Sequence, residues 1–177
     1  MKELVIAASF ETITQRKNLM VWKDHRGVAE RLFDLANSRG VKSFRKYNYP
    51  HAFLLYGLIK SVCMDKKHTQ IFKEYFDRLL DKKGNFVFTV DKVDQASYGL
   101  VALELYKIYE QDKYKNLADS MWEFIFDNYK SNNGFVLYRK GQLVWLNDMI
   151  GLVLPFLIKY YECTNNKVCL AVAREQL

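Results

Sequence analysis

The chain has 177 residues, half of them hydrophobic, and a net charge of +7. With only eight Gly and two Pro it lacks the breakers that an all-β fold needs, so its composition favours long helices around one sizeable core. Its lysines alternate with acidic residues, which is typical of solvated helix faces, and no nucleic-acid-binding motif accompanies them. The net positive charge would also favour binding of an anionic substrate.

The cysteines and the N-terminus predict a cytoplasmic protein. Cys63, Cys163 and Cys169 are odd in number and lack CxxC spacing, which indicates reduced thiols. The apolar start Met1–Ala8 is short and interrupted by Glu3, so it makes a poor signal peptide. No segment approaches the length that spans a membrane, and no membrane partner is expected.

Hydrophobic spacing predicts helices along a domain at residues 21–177, after an N-terminal segment at 1–20. Thr69 is placed to cap the third of these helices. A basic-aromatic connector at 41–48 and two Gly-Phe connectors at 83–88 and 131–138 separate the helices. The predicted helices are 21–38, from Pro50 to 64, 69–80, 94–109, 114–129, 147–161, and from 166 to the end.

An internal repeat is the most informative pattern. Tyr56–Ile59 recurs as Tyr98–Val101 and again as Ile150–Val153, each followed by a polar turn and a second helix. One hairpin cannot bury its apolar face alone, so neighbouring hairpins must stack. We therefore predict an all-α fold of αα-hairpin repeats that form part of an (α/α)6 toroid, with inner helices around a cavity.

Aromatic residues are in excess, with 12 Tyr, 12 Phe and 3 Trp. Such a surplus is common in carbohydrate clefts, where sugars stack on rings. The alternative is that most of these rings fill the core.

Three residues are expected at the starts of the inner helices, facing the mouth of the cavity: Tyr47, Asp94 and Asp148. Two carboxylates in one cleft could supply an acid and a base. The alternative is that each aspartate only caps its helix. His51 lies near the proposed cavity, where it could bind a ligand or be a surface histidine, and the histidines are too scattered for a metal site.

Residues 22–177 resemble the N-terminal half of family 88 and family 105 glycoside hydrolases, the unsaturated glucuronyl and rhamnogalacturonyl hydrolases. The resemblance rests on the segments Tyr47–Tyr49, Val93–Gly99 and Val144–Leu157, in the last of which Asp148 lies seven residues before Pro155. The family folds as six hairpins in a closed barrel, and about three are expected here.

The resemblance implies hydrolysis of oligosaccharides that carry an unsaturated uronic acid. An acid protonates C4 of the C4–C5 double bond, water adds at C5, and the resulting hemiketal opens without a metal or organic cofactor. Asp148 resembles the general acid and then base, and Asp94 the group that orients substrate or water. The substrate-binding residues implied by these segments are Tyr47, Tyr49, His51, Trp145 and Asn147.

The chain departs from the family pattern at Tyr47, where Trp is usual, at Ala52, where Gly is usual, and at Met149, where a second Asp is usual. A half-barrel would also expose an apolar flank, which two copies of the chain could cover as a homodimer. The alternative function is therefore an inactive half-barrel that binds a glycan or a protein partner.

Overall fold

The computed structural model describes residues 49–61, 66–139, 142 and 149–177, all of which belong to one compact unit, Val41–Leu177. The predicted helix at 21–38 and the boundary at residue 20 lie outside these residues. Within them the chain forms six α-helices and one short 3₁₀ turn at Val93–Gln95. The α-helices are α1 Tyr49–Ser61, α2 Lys66–Asp77, α3 Ala96–Tyr109, α4 Asp112–Ser131, α5 Met149–Thr164 and α6 Lys167–Glu175.

The helices pair as three consecutive hairpins, α1 with α2, α3 with α4 and α5 with α6. Helix α3 also packs against α1 and α5, so these three helices form an inner layer. Helices α2, α4 and α6 follow them as the outer partners. The all-α prediction of αα-hairpin repeats forming part of an α/α toroid is confirmed.

Helix α3 is the centre of this unit. Every residue from Ala96 to Leu105 is buried, because other helices cover the helix on several sides. A helix that is apolar all round is expected in such a position. The first turn of α3 is therefore held in place by packing on every side.

The three glycines of the repeat are not equivalent in the structure. A Cβ at Gly99 would lie 2.6 Å from the ring of Phe156, whereas one at Gly57 or Gly151 would have nothing within 4 Å. Only Gly99 is therefore required for the close approach of two helices, α3 and α5. The repeat marks equivalent helix positions but not equivalent contacts.

Aromatic side chains fill much of the core, as the alternative interpretation of their excess predicts. Tyr98, Tyr114, Phe72, Phe76 and Phe156 are fully buried. Their number therefore carries no argument for a carbohydrate cleft.

Two local predictions need correction. Thr69 does not cap α2, since that helix begins at Lys66 and the Thr69 hydroxyl bonds to the Lys66 carbonyl at 3.4 Å and to Tyr109 at 2.9 Å. Helix α2 also ends at Asp77, three residues before the predicted end. The prediction that α6 begins near Asn166 is confirmed. The Asn166 side chain caps the helix by accepting hydrogen bonds from two backbone N–H groups of its first turn.

The first Gly-Phe connector forms a tight turn closed by a single bridge between Leu80 and Phe86. In the second Gly-Phe connector, Gly134 adopts φ +95°, a backbone conformation that favours glycine.

Cys163 and Cys169 are both free thiols. Among the described residues, no helix is long and apolar enough to cross a membrane.

Candidate active site

Asp94 lies in the 3₁₀ turn that leads directly into α3. The backbone of this turn is tied to the second Gly-Phe connector, because the Val93 N–H donates to the Tyr138 carbonyl at 3.2 Å. The side chain of Gln95 closes the turn by accepting from the N–H groups of Asp91 and Lys92, at 2.9 and 3.0 Å. Gln95 therefore does the local capping that the sequence offered as an alternative role for Asp94.

Asp94 as a residue is only 5% exposed. Its Oδ2 accepts a hydrogen bond from the Tyr138 hydroxyl at 3.3 Å, and its buried Oδ1 has no hydrogen-bond partner among the residues that the structure describes. Burial raises the pKa of this carboxyl, while the charge of Lys92 and the Tyr138 hydrogen bond oppose the rise. A buried carboxylate with an unused oxygen can accept a proton or a hydrogen bond from a water or a sugar hydroxyl.

The segment that carries Tyr138 is fixed by side chains from two outer helices. Asn128, fully buried on α4, donates to the Leu137 carbonyl and accepts from the Leu137 N–H, both at 2.9 Å. Gln176, just beyond α6, accepts from the Val136 N–H at 2.9 Å and donates to the Gly134 carbonyl at 3.0 Å. These hydrogen bonds hold the backbone that leads into Tyr138.

His51 lies in the first turn of α1, the inner helix next to α3. Its Nδ1 is 3.2 Å from the Tyr98 hydroxyl, and the two rings meet edge to face with centroids 6.1 Å apart. Burial lowers the pKa of His51 to about 4, so the imidazole is neutral at physiological pH. His51 is half-buried, which does not fit the alternative of a surface histidine.

Tyr49 is the first residue of α1 and is 38% exposed. Its ring contacts the edge of Phe53, with the centroids 6.4 Å apart. The other residues of the predicted site lie outside the described residues, and their roles stay predictions. They are Tyr47, Trp145, Asn147 and Asp148.

Sequence reasoning did not single out Tyr138, Asn128 or Gln176. The one available signal was the second Gly-Phe connector, which was interpreted only as a turn. Hydrogen bonds between residues about nine and forty positions apart hold it, and no sequence periodicity encodes those pairings.

The geometry defines an α/α-hairpin protein with a buried, incompletely bonded aspartate at the start of a central inner helix. Residues 26–177 match the family model described as Glycosyl Hydrolase Family 88, and the chain belongs to that family. No solved structure matches the chain.

Proposed function

We propose that this protein is a glycoside hydrolase that acts on oligosaccharides ending in an unsaturated uronic acid, by hydration of the C4–C5 double bond. The carboxylate of Asp94 is the observation that carries the proposal. It is buried at the start of an inner helix, its Oδ2 is held by Tyr138, and its Oδ1 has no partner within the described ranges. Family membership supports glycoside hydrolase chemistry at this position.

In the proposed reaction Asp148 protonates C4 of the sugar and then removes a proton from the water that adds at C5. Asp94 accepts a hydrogen bond from that water or from a sugar hydroxyl through its Oδ1. The hemiketal that forms opens spontaneously and releases the sugar. Proton transfer by positioned carboxyl groups is sufficient for each step.

Arg139 gives the site a cation that suits a uronate. Its guanidinium lies 5.8 Å from the Tyr138 ring centre and 4.0 Å from the Asp91 carboxylate, and its buried Nε has no hydrogen-bond partner in the described part of the chain. A planar guanidinium binds a carboxylate through two parallel hydrogen bonds. We expect Arg139→Met to raise KM for the uronyl substrate more than it lowers kcat.

The test is turnover of unsaturated uronyl disaccharides, followed as loss of the ultraviolet absorbance of their conjugated double bond. Wild type is expected to consume at least one linkage type, and Asp148→Asn and Asp94→Asn to be impaired. Asp119→Asn is the matched control, because Asp119 also accepts from a tyrosine but lies on outer helix α4. Absence of turnover by wild type with every linkage would contradict the proposal.

Binding without turnover would favour the alternative function, an inactive half-barrel that binds glycans or a protein partner. Titration with glucuronic acid and with neutral glucose tests whether binding depends on the negative charge of the sugar.

The homodimer is likewise a proposal. The exposed side chains of Ile158 on α5 and Val168 on α6 are apolar surface that a second copy of the chain could bury. A monomer in sedimentation at micromolar concentration would contradict it.

A further inference from the structure

Two tyrosine–aspartate pairs in the described residues serve to join helices. Asp77 accepts from the Tyr114 hydroxyl at 2.8 Å and also binds the Lys113 ammonium at 2.8 Å. Asp119 accepts from the Tyr160 hydroxyl at 2.9 Å and has its own lysine partner at 2.7 Å. In both pairs a cation stabilises the aspartate, so the tyrosine is one of several bonds in a structural contact.

The pair formed by Tyr138 and Asp94 differs from these two. Its hydrogen bond is longer, at 3.3 Å, and among the described residues no lysine or arginine forms an ion pair with Asp94. Its aspartate is also more deeply buried, and within the described part of the chain its Oδ1 has no hydrogen-bond partner. A buried acceptor without a partner costs stability, and here no ion pair with a described lysine or arginine offsets that cost.

We propose that Tyr138 is a positioning residue for Asp94, holding Oδ2 so that Oδ1 is the oxygen presented to the ligand. The proposal rests on the proposed function only for what that ligand is. The carboxyl can rotate about a single bond, and one fixed donor on one oxygen selects its orientation. Because Asn128 and the Val93 N–H fix the segment that carries Tyr138, the donor is in place before any ligand binds.

The Tyr138 hydrogen bond also favours the ionised form of Asp94. Four other groups bear on the same balance: Lys92, Asp91 and the Gln95 backbone N–H near the carboxylate, and Arg139 near the tyrosine. Lys92 stabilises the carboxylate and Asp91 opposes it. Removing the hydroxyl while leaving these charges unchanged therefore raises the pKa of Asp94.

The direct test compares wild type with Tyr138→Phe by NMR of carbon-13-labelled aspartate, with the Asp94 carboxyl signal assigned from its absence in Asp94→Asn. The expected result is a higher pKa for Asp94 in Tyr138→Phe. Tyr160→Phe is the matched control, because it removes the hydroxyl of another tyrosine–aspartate pair, and it is expected to leave the titration of Asp94 unchanged. An unchanged Asp94 titration in a folded Tyr138→Phe protein would overturn the proposal.

Kinetics separates this proposal from the proposed function. If wild type turns over an unsaturated disaccharide, Tyr138→Phe is expected to lower kcat roughly tenfold, as for a hydrogen bond to a charged group, with a smaller change in KM. The acid limb of its pH profile is expected to move to higher pH. If wild type has no activity, a shifted carboxyl titration still supports the role of Tyr138, whereas activity with an unshifted titration supports the function alone.

A reciprocal measurement covers the case in which Tyr138→Phe fails to fold. Burial and then the Asp94 carboxylate raise the pKa of the Tyr138 phenol. In Asp94→Asn that pKa is expected to fall, while the phenol of Tyr160 is expected to titrate as in wild type. An unchanged Tyr138 titration in Asp94→Asn would show that the two groups do not interact, and the proposal would be wrong.

Discussion

Helix α3 has a buried carboxylate just before its first turn and another in its second half, and the two have different partners. Asp94 is 5% exposed and Glu104 is 0% exposed, and each has one oxygen that no described residue hydrogen-bonds. The Oε1 of Glu104 lies 3.5 Å from the Lys60 ammonium of α1 and 3.4 Å from the Lys159 ammonium of α5. Among the described residues, the side-chain hydrogen-bond partner of Asp94 is the neutral hydroxyl of Tyr138, and the charge of Lys92 acts on the carboxylate without an ion-pair contact.

Burial alone therefore does not identify a functional carboxylate. Glu104 joins all three inner helices, because its two cations come from the helices on either side of α3. The attraction of Glu104 and Glu162 outweighs the burial of Lys159, whose pKa lies above its ordinary value. Among the described residues, Asp94 has no comparable ion pair. A proton, or a ligand that donates a hydrogen bond, would therefore stabilise this side chain.

The largest expected effect of a substitution is the loss of activity in Asp94→Asn. Asp94→Asn keeps the shape of the side chain and an acceptor for Tyr138 but removes the charge. We expect kcat/KM to fall by roughly 10–100-fold, because a hydrogen bond to a charged acceptor contributes about 1.5–3 kcal/mol. Steady-state kinetics against Asp119→Asn measures this, and activity within a factor of a few of wild type would exclude a direct role for Asp94.

The same variant should not lose stability. Since the folded-state pKa of Asp94 is raised, its contribution to stability is fully present below the ordinary aspartate pKa of 3.8 and is lost as the pH rises through the raised value. At neutral pH the ionised side chain therefore costs free energy of folding, and Asp94→Asn removes that cost. Urea unfolding should show Asp94→Asn at least as stable as wild type at neutral pH, with the advantage gone in acid.

Glu104→Gln is expected to have the opposite phenotype, with stability lost and activity kept. Removing one partner of a buried ion pair costs about 3–5 kcal/mol. Because Lys60 is 42% exposed and can turn to solvent, we expect a loss below that range, about 2–3 kcal/mol. Urea midpoints with an unchanged denaturant slope would measure the loss, and a fall in activity without a fall in stability would erase the contrast with Asp94.

The fold was largely predictable from sequence because its determinants are local. Few breakers, helical spacing and the three repeated segments near Gly57, Gly99 and Gly151 were enough for an all-α hairpin repeat. The start of α2 was missed because Thr69 resembles a cap, whereas its hydroxyl bonds within the helix and to Tyr109 of α3. That contact depends on packing and not on local propensity.

The candidate site was only partly predictable. Asp94 could be selected because it begins an inner helix. Its difference from a capping aspartate depends on Gln95, which takes over the capping, and on Tyr138, forty-four positions along the chain. The sequence does not indicate a role for Glu104, because the two lysines that bind it lie forty-four and fifty-five positions away along the chain. Partners at such separations decide the role of a carboxylate, and one chain alone does not reveal them.

Gly99, in the first turn of α3, offers a test of how closely α3 packs against α5 and α4. Gly99→Ala would place a Cβ 2.6 Å from the Phe156 ring and 3.1 Å from Met121, so either α5 or α4 must shift. Overpacking of this kind costs about 1–3 kcal/mol. Gly57→Ala and Gly151→Ala are the controls and should stabilise by about 0.5–1 kcal/mol, because they meet no atom within 4 Å and alanine favours helix. Thermal unfolding of the three variants measures the contrast, and equal effects would contradict the close approach at Gly99.

The smallest effect separates the two lysines of Glu104. They lie at nearly equal distances from the same oxygen, but the Lys60 side chain is 42% exposed and that of Lys159 is 17% exposed. Solvent screens the more exposed pair, so Lys60→Met should cost less than about 1 kcal/mol. Lys159→Met should cost more, since the less screened charge carries more of the compensation for Glu104. Urea unfolding in low and high salt measures both costs. A larger loss from Lys60→Met would mean that the α1–α3 contact, and not the α3–α5 contact, holds the buried carboxylate.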